Sequence, residues 1–439
     1  MNNPSLPSCH GASSPIPAPR WDIFCRLVDN WGDIGVSWRL ACQLHQEFGI
    51  QIRFWVDQPE RFQALRDGAL RGEAEASSVM ARDDRPTPCS EDSSIMTDDE
   101  ENQGIEILQL QEPFVVDDEM ELPEVVIESF GCVLPESYVK AMARSSRPPL
   151  WIVLEYLSAE PWVAGMHGLP SPHPQSGLRR YFFFPGVCVG TGGVLREKSL
   201  LTRRDHFDSH KKANCWRAWG FEPPQPEALT MLLFAYPHAP WQSLLRLCCQ
   251  QKQKTIWVLP PTPLAEAVRA FLGVSLESAW RQGSLEIRWI PWLAQTAFDE
   301  LLWCCDVNFV RGEDSFVRAQ WAKKPWVWHI YPQAEEAHEV KLIAFVDRYV
   351  ASVEGSNPRA AQGIRDMFYA WNGMKGVKGG EIRMEEAFEA YSGLFLHEGR
   401  NRNGTLTQGM GDPSAHWEQE LRELGDLASN LVQFCQDIV

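Results

Sequence analysis

The chain has 439 residues, 44% hydrophobic and 23% charged, with a formal net charge of −17. This composition is that of a globular protein long enough for two or three buried cores, and its acidity argues against a nucleic-acid or anionic-membrane partner. The twelve cysteines contain no Cys-x-x-Cys pair, so no zinc or thioredoxin-like site is expected, and free thiols fit a reducing cytoplasm.

Residues 1–20, rich in Pro, Ser and Asn without an apolar run, are predicted to be a flexible leader rather than a signal peptide. No stretch has the length and apolarity of a membrane span. A strand over 21–28, a Gly-containing loop from Asp29 to Gly35, a helix over 36–48 ended by Gly49 and a strand over 51–56 form a βαβ opening, which implies a parallel sheet. Residues 72–101 carry ten acidic against two basic residues, a net −8, and are predicted to be a disordered acidic insertion. Strand-like runs return at 105–110, 125–129 and 150–154, followed by a Pro- and Gly-rich loop and the apolar stretch 181–190.

A second α/β series then begins, with strands expected near 228–236, 255–259, 285–289, 307–310 and 325–329. Helices are expected near 241–251, 263–272, 295–304 and 315–323. The chain is thus predicted to be an α/β protein of two Rossmann-like, doubly wound domains, 21–193 and 226–400, facing each other across a cleft. Residues 194–225 are predicted as a linker. Residues 401–439 are predicted as a loop and a closing helix over 415–438 that packs back on the N-terminal domain.

Four stretches sit where open α/β sheets bind ligands, beyond the C-terminal strand ends. The first is Asp29-Asn30-Trp31-Gly32-Asp33-Ile34-Gly35-Val36. Its two carboxylates, four residues apart, suit convergence on one cationic group, although both also suit capping of the turn and helix. It is no Gly-x-Gly-x-x-Gly fingerprint, which disfavours a nicotinamide cofactor. The second is Arg311-Gly312-Glu313-Asp314-Ser315-Phe316. Here a helix start and a guanidinium suit a phosphate, whereas Glu313 suits a sugar hydroxyl or the acceptor. The third runs from Trp292 through Gln295 to Phe298; with Phe234 and Tyr236 it offers faces for a flat base. The fourth, from Trp328 to Gln333, includes His329 and Tyr331 and is followed by His338 and Lys341. Asp117-Asp118-Glu119 has no further ligand type nearby, so no metal is expected.

Together these stretches, with Glu128-Ser129-Phe130-Gly131-Cys132, Leu154-Glu155-Tyr156-Leu157-Ser158 and Tyr181 to Gly186, resemble the elongation factor P arginine rhamnosyltransferases (EarP). The resemblance runs from about residue 21 to the C-terminus. It implies a GT-B fold, TDP-β-L-rhamnose as donor, no cofactor or metal, and a specific arginine of translation elongation factor P as acceptor. It implies that Asp29 and Asp33 are the acceptor-side carboxylates and Glu313 an essential acid. It further implies that Arg311, Asp314, Ser315 and Tyr331 contact the diphosphate, and that Phe234, Tyr236, Trp292, Gln295 and Phe298 form the thymidine pocket. Trp292 stands where the family has phenylalanine. The expected activity is inverting transfer of L-rhamnose in the cytoplasm, with Asp33 as general base. The alternatives are a GT-B enzyme for another nucleotide sugar or a small-molecule acceptor, and a non-catalytic sensor. The 72–101 insertion, the leader and the 401–415 loop depart from the family pattern.

Overall fold

The computed structural model describes residues 18–26, 32–60, 62, 104–111, 113–116, 120–275, 277–333, 336–376, 380, 382–396 and 413–438. Asp29, the 117–119 motif, the 72–101 segment and most of the leader and of the 401–415 loop lie outside these residues.

Seven strands form the first sheet, in the order β3-β2-β1-β4-β5-β7-β6. They are β1 (Arg20–Cys25), β2 (Gln51–Val56), β3 (Ile105–Gln109), β4 (Val125–Ser129), β5 (Leu150–Leu154), β6 (Pro170–Pro172) and β7 (Arg179–Phe183). All pair in parallel except β6, which runs antiparallel at the edge. A parallel sheet is covered on both faces, so its inner strands read as continuous apolar runs; β4 is buried along its whole length. Asp22, fully buried on β1, keeps its charge satisfied by the Arg53 fork at 2.7 and 2.9 Å and by the Tyr138 hydroxyl at 2.6 Å.

The second sheet has six strands, in the order β10-β11-β9-β8-β12-β13. These are β8 (Leu229–Leu233), β9 (Thr255–Leu259), β10 (Ala279–Gln282), β11 (Leu285–Trp289), β12 (Val307–Arg311) and β13 (Trp326–His329). Among the described residues only β10 is antiparallel; this short, half-exposed strand carries no apolar run and is not among the predicted strands. Local signals decide the boundaries well here. The helix Pro263–Leu272 starts at the Thr262 cap with proline in its first turn, and ends at Gly273 with φ +68°, the expected punctuation.

Three differences from the sequence expectations have physical reasons. The stretch 194–225 holds two helices, Leu200–Asp205 and Ser209–Ala218, the second capped by Asp208. Helices Ala337–Glu354, Pro358–Trp371 and Met384–Leu396 close the second domain. Their signal lay in spacing: Leu342, Phe345, Val346, Tyr349, Val350 and Val353 fall on one buried stripe, a 3.6-residue period. The last expected helix is two, Ser414–Glu423 and Leu427–Ile438. The break is at Gly425, with φ +79°. It sits against Gly193 (φ +75°), where a Cβ would lie 2.9 Å from the Gly425 carbonyl oxygen. Only glycine admits both this left-handed backbone and this approach. Next to it Val194 and Asp426 form a parallel bridge, and the Leu427 N–H donates to the Val194 carbonyl at 3.2 Å. The final helix lies on the first sheet's side, with Phe434 packed edge-on against Phe183 at 5.5 Å.

A buried ionic cluster ties the two domains together. Arg318 forks onto Asp299 at 2.7 and 2.6 Å and reaches Glu197 at 2.7 Å. Arg203 adds a bond to Asp299 at 3.1 Å. From the first domain, Arg39 of helix Gly32–Phe48 donates to Asp314 at 2.8 Å and to the Gln295 carbonyl at 2.9 Å. Burial alone would raise the Asp299 carboxyl, but Arg318 and Arg39 outweigh it and hold it below the usual range. Three cations thus face three carboxylates, which is the condition under which buried charge is tolerated.

Candidate active site

The C-terminal ends of the two sheets meet head to head. Helix Gly32–Phe48 begins against the start of helix Asp314–Trp321. A Cβ on Gly32 would lie 3.7 Å from the Glu313 nitrogen, and one on Gly35 would lie 3.1 Å from the Gln295 amide nitrogen. The Leu157 N–H, just past β5, donates to Glu313 Oε1 at 2.8 Å.

On the first domain's side, Asp33 lies buried in the first turn of its helix. The hydroxyl of Tyr156, after β5, donates to Asp33 Oδ2 at 3.0 Å, with the Phe130 carbonyl as its alternative acceptor at 3.3 Å. Phe130, just after β4, takes φ +52° and Gly131 follows with φ +71°. A left-handed phenylalanine is uncommon and is stored at sites that the surroundings over-determine. β1, β4 and β5 are neighbours in the sheet, so Asp33, Phe130 and Tyr156 converge because three adjacent strands end together. From the second domain, Lys341 on helix Ala337–Glu354 places its ammonium 5.4 Å from the centre of the Tyr156 ring, within cation–π range.

Glu313 projects from a turn in which Gly312 takes φ +61°. Burial pushes its carboxyl up; the Lys341 charge and the Leu157 N–H bond oppose that, and the nearby Glu155 adds to it. Among the described residues the helix start beside it carries no side-chain cap bond, and its first N–H groups and helix dipole suit an anion.

The second domain supplies an aromatic wall around a guanidinium. Arg311, at the end of β12, is buried with its guanidinium carbon 5.0 Å from the Phe234 ring and 4.9 Å from the Tyr236 ring. Its Nε has no hydrogen-bond partner among the described residues, an unmet donor that suits an anion. Phe298 packs edge-on against Phe234 at 5.2 Å, and Tyr331, largely exposed, packs against Tyr236 at 5.5 Å. Trp292 is half-buried, and its indole N–H is also unpaired among the described residues.

Three of the expected donor contacts are engaged otherwise in this structure. Ser315 donates its hydroxyl to the Arg311 carbonyl and accepts from the Arg311 N–H at 3.1 Å. Asp314 accepts from Arg39 and, at 3.1 Å, from the Gln295 amide, which also donates to the Gly35 carbonyl at 2.9 Å. Asp314 and Gln295 therefore look into the domain contact. The sequence reading missed Tyr156 and Arg39 as site residues, although Tyr156 stood inside a quoted motif; their partners lie more than a hundred residues away.

His329 sits behind the wall. Its Nδ1 accepts from the Tyr236 N–H at 3.2 Å, so it is held neutral with the proton on Nε2. Burial first, then the neighbouring His238 and Arg311, depress its pKa to about 3. Unfolded, the ring takes up a proton near pH 6.5, whereas folded it does not. The stabilisation is therefore complete above pH 6.5 and is lost as pH falls towards 3. Between pH 6.5 and 5 we expect this residue to remove about 2 kcal/mol of stability. Urea unfolding of wild type and His329→Gln at both pH values checks this: the variant's pH slope should flatten, and equal slopes would refute it.

Comparison with known proteins agrees with this arrangement. Residues 21–436 match the family model for the elongation factor P rhamnosyltransferase EarP. The chain is 37% identical over 424 residues to a protein-arginine rhamnosyltransferase of Pseudomonas aeruginosa, covering 95% of this chain and 99% of the relative. It is 40% identical over 356 residues to one of Pseudomonas putida, covering 80% and 86% respectively. A solved structure described as the basis for EarP-mediated arginine glycosylation of elongation factor EF-P superposes with a TM-score of 0.58 at 26% identity, over 96% of this chain and 99% of the other. The two facing α/β domains are those of a GT-B glycosyltransferase, and the chain belongs to the elongation factor P rhamnosyltransferase (EarP) family.

Proposed function

We propose that this protein moves L-rhamnose from TDP-β-L-rhamnose to the guanidinium of a specific arginine of elongation factor P, inverting the anomeric centre, in the cytoplasm and without a metal or other cofactor. The observation that carries the reading is what meets at one cleft: Asp33 of the first domain lies opposite the Glu313 turn of the second, and the strand leading into that turn ends in Arg311 within a wall of Phe234, Tyr236, Phe298 and Tyr331. Family membership supplies the sugar and the acceptor.

An arginine side chain is a poor nucleophile because its pKa lies above about 12. Carboxylates bound to its N–H groups localise its electrons and accept a proton as the new bond forms. Asp33 is the base in this reading, and Asp29 and Glu313 orient the guanidinium. Positive charge from Arg311 and from the uncapped helix start stabilises the leaving diphosphate. The aromatic wall takes the base of the nucleotide, and Trp292 offers a further face.

The test is intact-mass analysis of elongation factor P after incubation with this protein and TDP-β-L-rhamnose. One added deoxyhexose, absent when the acceptor arginine is lysine, is the expected result. No addition, with the donor shown to bind, would overturn the acceptor assignment.

A further inference from the structure

Tyr156 has no part in the chemistry described so far, yet it touches both halves of the cleft. Its hydroxyl donates to Asp33 Oδ2 at 3.0 Å. Its ring packs on Phe130 at 5.1 Å on the first domain and lies under the Lys341 ammonium of the second, 5.4 Å away. The next residue, Leu157, gives its N–H to Glu313. Building on the proposed function, we infer that Tyr156 is the positioning residue of the Asp33 carboxylate, and that Lys341 makes this positioning conditional on the two domains meeting.

The argument is geometric. A carboxylate on the first turn of a helix rotates between staggered states unless something holds it. A bond from a phenol to one oxygen fixes the plane of the carboxylate, and a base misplaced by an ångström loses much of its effect. The phenol is in turn fixed by its neighbours. Below it is Phe130, whose left-handed backbone is uncommon for a bulky residue. Above it is a cation that arrives only with helix Ala337–Glu354 of the other domain. Open the cleft and Tyr156 keeps Phe130 but loses Lys341, and Leu157 loses Glu313. The orientation of the base is thereby tied to closure, which limits wasteful attack of water on the donor.

A hydrogen bond donated to a carboxylate favours its ionised form, as does a nearby cation. Among the described residues, the groups near Asp33 and its phenol include Cys25 at the end of β1, Tyr156 after β5, Glu313 from the opposite helix start, and Lys341 with Glu155 beside the tyrosine. Among these, Tyr156 donates to Asp33 and Lys341 adds positive charge beside the phenol, and both favour the ionised carboxylate. Removing either moves the acidic limb of the rate profile to higher pH.

The experiment is rhamnose transfer to elongation factor P between pH 5 and 9 by wild type, Tyr156→Phe, Lys341→Met and Asp33→Asn, with donor affinity and melting temperature measured on the same samples. Tyr156→Phe keeps the ring and is expected to lower kcat about 10- to 100-fold. Its acidic limb should rise by about half a pH unit or more, with donor Kd and melting temperature near wild type. Lys341→Met should shift the limb the same way with a smaller loss of kcat. A Tyr156→Phe enzyme with wild-type kcat and profile, while Asp33→Asn is inactive, overturns the inference alone. So does a loss of kcat that follows a fall in melting temperature with the profile unmoved, which marks a merely structural tyrosine. Wild type that transfers nothing overturns the proposed function, and this inference with it.

Discussion

Asp33→Asn is expected to lower kcat for arginine rhamnosylation by about 10²–10⁴, the range for loss of a general base, while donor affinity stays within about twofold of wild type. Asn is nearly isosteric, and its carbonyl still accepts from the Tyr156 hydroxyl that now reaches Asp33 Oδ2. What changes is the other arm: an NH₂ replaces the oxygen that would take the proton and presents donors to a guanidinium made only of donors. The aromatic wall proposed to take the donor lies on the other domain, around Arg311, and is not altered by this substitution. Single-turnover transfer followed by intact mass, with donor affinity by calorimetry, decides the matter. Retention of kcat, or collapse of donor binding, would remove Asp33 from the role of base.

The second large effect concerns stability. Arg318→Met should destabilise the protein by about 3–5 kcal/mol, the cost of leaving a buried carboxylate without its partner. Arg318 is almost fully buried and makes three short bonds, two to Asp299 and one to Glu197. The remaining cations are poorer substitutes: Arg39 stands 3.9 Å from Asp299, and Arg203 is half-exposed. Arg318→Lys, which keeps the charge but not the fork, should lose less. Removing both partners, in Arg318→Met with Asp299→Leu, should recover much of the loss. Urea midpoints for the four proteins measure this. A single mutant within about 1 kcal/mol of wild type would mean that the ionic cluster only breaks even against its desolvation.

Much of this was legible in the sequence, and what was not has a common cause. Strand ends, the Gly273 stop and the placement of the Arg311 turn follow from local patterns of apolarity and punctuation. Phe234, Tyr236, Phe298 and Tyr331 were readable as aromatic faces at strand and helix ends, and the structure gathers them around Arg311. By contrast, Asp314 and Gln295 turn to Arg39 and Gly35 across the domain contact. Such choices depend on which side chain lies opposite after folding, over separations of 275 and 260 residues. Tyr156 shows the same limit: its motif was visible, its partner was not. The Ala337–Glu354 helix is a different matter, for its apolar spacing is a local signal that the sequence carries.

The glycine contact between Gly193 and Gly425, with the Val194–Asp426 bridge beside it, has a mechanical consequence. The chain leaves the first lobe and re-enters it through two segments fastened side by side. Two tethers at one edge act as a single hinge pin: the second lobe can swing about that line, but sliding or twisting would tear the bridge. A swing about that line would separate Lys341 from Tyr156 and Glu313 from Leu157 together. A side chain grafted onto Gly193 would wedge the pin itself, so the enzyme's opening stroke, rather than its chemistry, would register the damage first.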